Sequence, residues 1–103
     1  MWGKTMIYKS REIEAALKKK GFEEIKWGNH KYYYFLDQKG NQTPVKTKTS
    51  HGDIEYGGKM LSLMKKQLHL NTEQFDDLVK CPLTEEQLRE IYNEKHVVIN
   101  KLN

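Results

Sequence analysis

The sequence predicts an α+β domain with the element order α-β-β-β-α, a three-stranded antiparallel sheet and two extra helices at the C-terminal end. Three observations support this prediction. Apolar residues recur at helical spacing behind Ser10 and again behind Gly58. Between these two helical segments lie three stretches rich in aromatic and β-branched residues, separated by turn-forming residues. Because consecutive strands joined by short turns pair antiparallel, we expect an antiparallel sheet.

The first helix is expected over residues 10–20. Ser10 belongs to the residue types preferred at helix N-caps, and apolar residues follow it at helical spacing. Lys18 to Lys20 place positive charge at the end of the helix where the dipole is negative. Gly21 then supplies the usual C-terminal stop.

The three strands follow directly. Residues 22–27 and 30–36 flank the pair Gly28-Asn29, which is typical of a hairpin. A turn cluster covers residues 37–41, and residues 45–49 alternate in the manner of a third strand. No helical segment interrupts them.

Three more helices complete the prediction. One is expected over residues 57–69 with an apolar stripe that faces the core. The stripe consists of Met60, Leu61, Met64 and Leu68. Asn71-Thr72 begins a short third helix that ends before Pro82. The capping box Thr84-Glu85-Glu86-Gln87 opens the last helix.

The charge is distributed unevenly along the chain. Residues 1–70, the expected domain, hold 14 Lys and Arg against 7 Asp and Glu. Residues 71–103, an expected C-terminal helical extension packed on or beside that domain, hold 4 against 7. A basic body indicates a polyanion as its partner. The alternative is that the lysines only keep a small protein soluble.

Composition argues against several classes of protein. No apolar run approaches the roughly 20 residues that cross a bilayer, so no membrane partner is expected. Met1-Trp2-Gly3-Lys4 leads into no apolar signal segment, and the single Cys81 fits a reducing compartment, so a cytoplasmic protein is expected. The histidines and the cysteine show no local metal-ligand spacing, so neither a metal nor a cofactor is expected.

Strand alternation divides the sheet into two faces, because successive side chains point to opposite sides. The register that buries most apolar area puts Tyr33, Phe35 and Val45 under the helices. The side chains then left on the uncovered face are His30, Tyr32, Tyr34, Lys46 and Lys48. Aromatic rings and ammonium groups around one histidine are suited to stack on bases and neutralise phosphates.

Four segments, in this order, resemble the HicA family of small toxins. Lys9-Ser10-Arg11-Glu12-Ile13 through Lys20-Gly21-Phe22 resembles the opening helix of that family. Gly28-Asn29-His30 resembles its Gly-Ser/Thr-His motif, and Ser50-His51-Gly52 resembles the end of its third strand. The segment Gly58-Lys-Met-Leu-Ser-Leu-Met-Lys-Lys-Gln-Leu68 is similar to its second helix. The likeness covers about residues 8–70.

The resemblance implies a fold related to double-stranded-RNA-binding domains and a metal-independent ribonuclease that cleaves messenger RNA. It also implies a toxin–antitoxin system with a HicB-like antitoxin as the protein partner. His30 stands at the position of the family's catalytic histidine. RNA supplies its own nucleophile, the 2′-hydroxyl, so the enzyme has only to move a proton and offset charge. Histidine suits this task because its ordinary pKa of about 6.5 keeps both forms accessible.

The expected RNA contacts surround His30 and extend onto the second helix. The residues expected to bind RNA are Lys31, Tyr32, Tyr34, Lys46, Lys48, His51, Lys65 and Lys66. Each lysine and tyrosine has an ordinary alternative as an exposed surface residue. His30 has the alternative of a hairpin-end histidine whose ring nitrogens are satisfied by backbone or solvent, and His51 that of a loop residue that shapes the turn. Two rival functions therefore remain open, a non-catalytic RNA-binding domain on the same fold and a protein-interaction module.

Overall fold

The computed structural model describes residues 7–52, 54–80 and 82–95. Its elements are β1 (Ile7–Lys9), α1 (Ser10–Lys19), β2 (Phe22–Trp27), β3 (His30–Leu36), β4 (Gln42–Ser50), β5 (Glu55–Gly57), α2 (Gly58–Gln67), α3 (Thr72–Lys80) and α4 (Glu85–Glu94). Strands β2, β3 and β4 form a three-stranded antiparallel sheet in that order. The predicted α+β class and the predicted sheet are confirmed.

The helix-covered face of the sheet carries the core, as the alternation predicted. Tyr33, Phe35 and Val45 are completely buried there, and Thr47 and Thr49 of β4 are also buried. Helix α1 packs against β2 and β4, and α2 packs against β4. The alternation is interrupted once, because the pairing of β3 with β4 shifts between Tyr34 and Leu36.

A second, two-stranded sheet was not predicted. Strands β1 and β5 pair antiparallel, with Tyr8 opposite Tyr56, and both of these rings are buried. Three residues are too few to show a period, which is why the sequence pattern did not reveal either strand.

The expected N-cap role of Ser10 in α1 is wrong. Lys9 is the N-cap, and the Ser10 hydroxyl instead donates to the Gly52 carbonyl at 3.1 Å.

Helix α2 is shorter than predicted, and one residue of its expected core stripe points outward. Leu61, Met64 and Leu68 are buried, but Met60 is 45% exposed. The helix ends at Gln67, and His69 follows with a left-handed backbone, φ 57°. The predicted placement of His69 within a helix is therefore wrong.

Helices α3 and α4 complete the core that begins under the sheet. Phe75, Leu78, Leu88 and Tyr92 are buried in one cluster with the side chains from β3 and β4. The Tyr92 ring lies edge-on to Phe35, with 5.0 Å between ring centroids. The two helices are thus part of the same hydrophobic core. Cys81 and residues 96–103 lie outside the described residues.

Two further contacts hold α4 against the sheet. The Arg89 guanidinium donates to the Leu36 carbonyl at 2.9 Å and lies 4.7 Å from the centroid of the Phe35 ring. Glu85 approaches so closely that a Cβ on Gly21 would come within 2.8 Å of its carboxylate. Gly21 also has a φ of 96°, so both the backbone and the space favour glycine at this position.

Across the described ranges, every helix is too short or too polar to span a bilayer.

Candidate nucleic-acid interface

The side of the β2-β3-β4 sheet opposite the helices, called the open face here, presents three rows of side chains. Each row contains one residue from each strand, because cross-strand neighbours share a face. The rows are Trp27-His30-Ser50, Ile25-Tyr32-Lys48 and Glu23-Tyr34-Lys46. The expected group of His30, Tyr32, Tyr34, Lys46 and Lys48 is thus brought together on one surface.

The β2 side of the open face is apolar. A cavity of about 260 Å³, the aromatic hollow, is lined by Ile25, Trp27, Tyr32, Tyr34 and Gln42. Trp27 is 74% exposed, and Ile25 is 36% exposed. Neither residue was among the site residues predicted from the sequence. Extending the alternation from β3 to β2 through the hairpin register would have found both.

The β4 side of the open face is basic. A cavity of about 290 Å³, the basic groove, is lined by Tyr32, Pro44, Lys46, Thr47, Lys48, Gln67 and His69. Lys46 and Lys48 are exposed, and the Lys46 Nζ lies 5.7 Å from the centroid of the Tyr34 ring. Tyr32 lines both cavities, so its ring forms the wall between the aromatic hollow and the basic groove.

His30 begins β3 at one end of the open face. Its side chain is half-buried and lies edge-on to Tyr32, with 6.2 Å between ring centroids. The Nδ1 atom is enclosed and has no hydrogen-bond partner among the described residues. Any proton exchange with a ligand therefore has to use Nε2. His30 lines neither of the two cavities directly.

His51 holds the turn between β2 and β3. Its Nε2 lies 3.1 Å from the Gly28 carbonyl oxygen, and its backbone N–H donates to the Asn29 carbonyl at 3.1 Å. Because a carbonyl oxygen only accepts, Nε2 carries the proton in this contact. Of the roles considered for His51, the geometry therefore favours shaping the turn beside His30.

Lys31 does not belong to the open face. Residue 31 alternates with His30, so its side chain lies on the helix-covered side, where its Nζ contacts the Glu14 carboxylate at 3.2 Å. This placement separates the Lys31 ammonium group from Lys46 and Lys48 across the sheet, and the prediction that Lys31 binds RNA stays a prediction. The alternation rule already assigns residue 31 to the face of Tyr33.

Lys65 and Lys66 lie on α2 and line neither cavity of the open face. The Lys65 Nζ donates to the Thr72 hydroxyl at 3.1 Å, which joins α2 to the beginning of α3. Lys66 is exposed. The prediction that these two lysines bind RNA stays a prediction.

A polar network under the sheet was not anticipated from the sequence. The Tyr33 hydroxyl donates to the Glu24 carboxylate at 2.5 Å, and the Thr49 hydroxyl donates to Glu14 at 2.7 Å. The hydrogen bond from Tyr33 lowers the pKa of Glu24, while burial and the bond to Glu24 raise the pKa of Tyr33. These bonds give the hydroxyl groups of Tyr33 and Thr49 partners on the helix-covered side of the sheet.

No group of three His, Cys, Asp or Glu side chains in the described part of the chain is arranged to hold a metal ion. The chain matches no protein-family model, no curated protein and no solved structure.

Proposed function

We propose that this protein binds single-stranded RNA across the open face and cleaves it with His30 as general acid or base. The protein would then be a HicA-like messenger-RNA ribonuclease on a fold related to double-stranded-RNA-binding domains. The observation that carries the proposal is that aromatic rings, two exposed lysines and one histidine lie together on the uncovered side of the sheet.

Binding would use both halves of the open face. Bases would stack on Trp27 and on the tyrosines of the aromatic hollow, which is worth about 1–3 kcal/mol per base in comparable sites. Lys46 and Lys48 would neutralise the phosphates of the same strand. A single strand fits this arrangement better than a duplex, because stacking on a side chain requires unpaired bases.

Cleavage would require little machinery. The Nε2 atom of His30 would take a proton from the 2′-hydroxyl or give one to the leaving 5′-oxygen, and the lysines would offset charge on the phosphate. One positioned general base or acid contributes about 10²–10⁴-fold in rate, so the enzyme would be slow. A slow ribonuclease is sufficient for a protein that arrests growth by degrading messages.

The test is incubation of the purified protein with end-labelled RNA in excess chelator. We expect the wild type to cleave and His30→Ala to lose at least 100-fold in rate, following the contribution of about 10²–10⁴-fold given above. RNA in which every 2′-hydroxyl is replaced by fluorine serves as a matched control, since it retains the phosphates and lacks the nucleophile. Equal cleavage by wild type and His30→Ala would contradict the catalytic assignment.

A second candidate is a non-catalytic RNA-binding domain on the same surface. Two observations favour it: His30 lines neither cavity, and its Nδ1 atom is enclosed without a partner among the described residues. In this case the same incubation gives a retarded RNA complex and no product.

The protein partner implied by the toxin proposal is a HicB-like antitoxin in the cytoplasm. Trp27 and Ile25 form an exposed apolar surface of the kind that concentrates binding energy in protein interfaces. An antitoxin that covers them would block RNA at the same time. If the protein shows no RNA affinity even at low salt, where phosphate contacts are strongest, the surface is a protein-interaction site only.

A further inference from the structure

His69 has an unusual backbone conformation at the edge of the basic groove. It is the one non-glycine residue with positive φ among the described residues, at 57°. It follows the Leu68 C-cap of α2, the position where glycine is the usual residue because glycine has no Cβ to clash. A histidine here keeps the imidazole at some conformational cost.

The surrounding hydrogen bonds hold this conformation. The His69 N–H donates to the Lys66 carbonyl at 3.1 Å, and the Leu70 N–H donates to the Lys65 carbonyl at 2.9 Å. Together the two bonds form a Schellman motif, which requires the left-handed residue between them. Lys95 also donates through Nζ to the His69 carbonyl. The backbone of His69 is thus held on both sides, while its side chain is exposed and lines the groove.

A second polar group beside His69 faces the same space. Gln67 lines the basic groove, and its Oε1 accepts a hydrogen bond from the Thr47 hydroxyl at 2.6 Å. This bond orients the side chain and leaves the two amide N–H donors for a ligand. Lys46 and Lys48 line the same groove.

We infer that the basic groove is a subsite for one nucleotide of the RNA strand, with His69 and Gln67 contacting its base or ribose. This inference rests on the proposed function and deepens it. The groove volume of about 290 Å³ lies at the lower limit of small-molecule sites, which begin near 300 Å³. Lys46 and Lys48 take the phosphate, and Tyr32 separates this nucleotide from the bases in the aromatic hollow.

The left-handed backbone of His69 allows a substitution that removes the imidazole without straining the fold. His69→Gly removes the imidazole and fits the left-handed position, so we expect the melting temperature to stay equal or to rise. We expect affinity for a fluorinated, uncleavable RNA, measured by fluorescence anisotropy, to fall by about 3- to 10-fold, the loss of one polar contact. His69→Asn also tolerates this backbone, keeps a hydrogen-bonding side chain, and is expected to lose less.

The outcomes separate the two proposals. Wild-type protein without RNA affinity at low salt would overturn the proposed function. Wild-type affinity retained in His69→Gly would overturn the nucleotide subsite and leave the proposed function intact.

A titration of single nucleotides tests the subsite without RNA. We expect adenosine or uridine 5′-monophosphate to shift the ring resonances of His69 in a saturable manner, with those of His51 unchanged. If inorganic phosphate shifts the His69 resonances to the same extent, the groove is an anion site with no base or ribose contact, and the inference is overturned.

Discussion

Three consecutive tyrosines on β3 lie in two different environments. Tyr33 is completely buried under the helices, where its hydroxyl bonds to Glu24. Tyr32 and Tyr34 are half-buried on the open face, beside lysines from β4. Successive side chains on a strand point to opposite faces, so residues of the same type stabilise the core at one position and lie on the open face at the next.

The comparison separates the positions that determine stability from those that determine binding. The helix-covered face contains Phe35 and Val45, both completely buried, and its polar side chains are paired with one another. The open face contains the exposed ring of Trp27, the half-buried rings of Tyr32 and Tyr34, and two exposed lysines. Substitutions on the two faces should therefore change different measured quantities.

The largest expected effect is on the helix-covered face. Phe35→Ala removes a ring that contacts Phe22 and Tyr92, so we expect the free energy of unfolding to fall by about 3–5 kcal/mol. Tyr34→Ala, one residue earlier, is expected to cost below about 1 kcal/mol. Urea denaturation followed by circular dichroism measures both values. Similar losses at the two positions would contradict the division into two faces.

Much of the sheet could be predicted from the sequence because alternation is a local property. The buried set Tyr33, Phe35 and Val45 and the open-face set around Tyr32 both followed from a period of two. The turn residues between the strands then determined which strands pair. Helix bounds were also close, since periodicity and capping residues lie within the segments themselves.

The remaining features depend on contacts between distant segments. His69 lines the basic groove because the end of α2 lies next to β4. The residues around His69 in the sequence do not indicate that contact. The ion pair of Glu14 and Lys31 likewise joins α1 to β3. Met60 is 45% exposed although it belongs to the apolar stripe, because a helical period does not by itself determine which of its members meet the core.

An intermediate effect is expected from the hydroxyl of Tyr33. Tyr33→Phe removes the donor to the Glu24 carboxylate. We expect the free energy of unfolding to fall by about 1–2 kcal/mol at neutral pH. This value is toward the lower end for hydrogen bonds to charged groups, because Glu24 is partly exposed. Tyr32→Phe is the matched control on the open face, where the hydroxyl makes no hydrogen bond with the described residues. It is expected to leave stability unchanged.

The pH dependence follows from the lowered pKa of Glu24. Ionised Glu24 stabilises the folded state above its unfolded value of 4.5, and this contribution is lost as the pH falls through the lower folded value. The difference between wild type and Tyr33→Phe should therefore be largest near neutral pH and shrink below pH 4.5. Denaturation series from neutral to acidic pH measure this difference. A difference independent of pH would show that the carboxylate is not the partner that matters.

The smallest effect on stability, and the most specific test of the open face, comes from its lysines. Lys46→Ala and Lys48→Ala are expected to change the free energy of unfolding by less than about 0.5 kcal/mol, because both side chains are exposed. Each substitution should lower the slope of log affinity against log salt by about 0.7, the value for one phosphate contact on a single strand.

Lys19→Ala is the matched control, since Lys19 is also exposed but lies on α1, on the other side of the sheet. An equal change of slope in all three variants would mean that RNA senses only the total charge of the protein. A change confined to Lys46 and Lys48 would assign the phosphates to the open face, independently of whether His30 cleaves them.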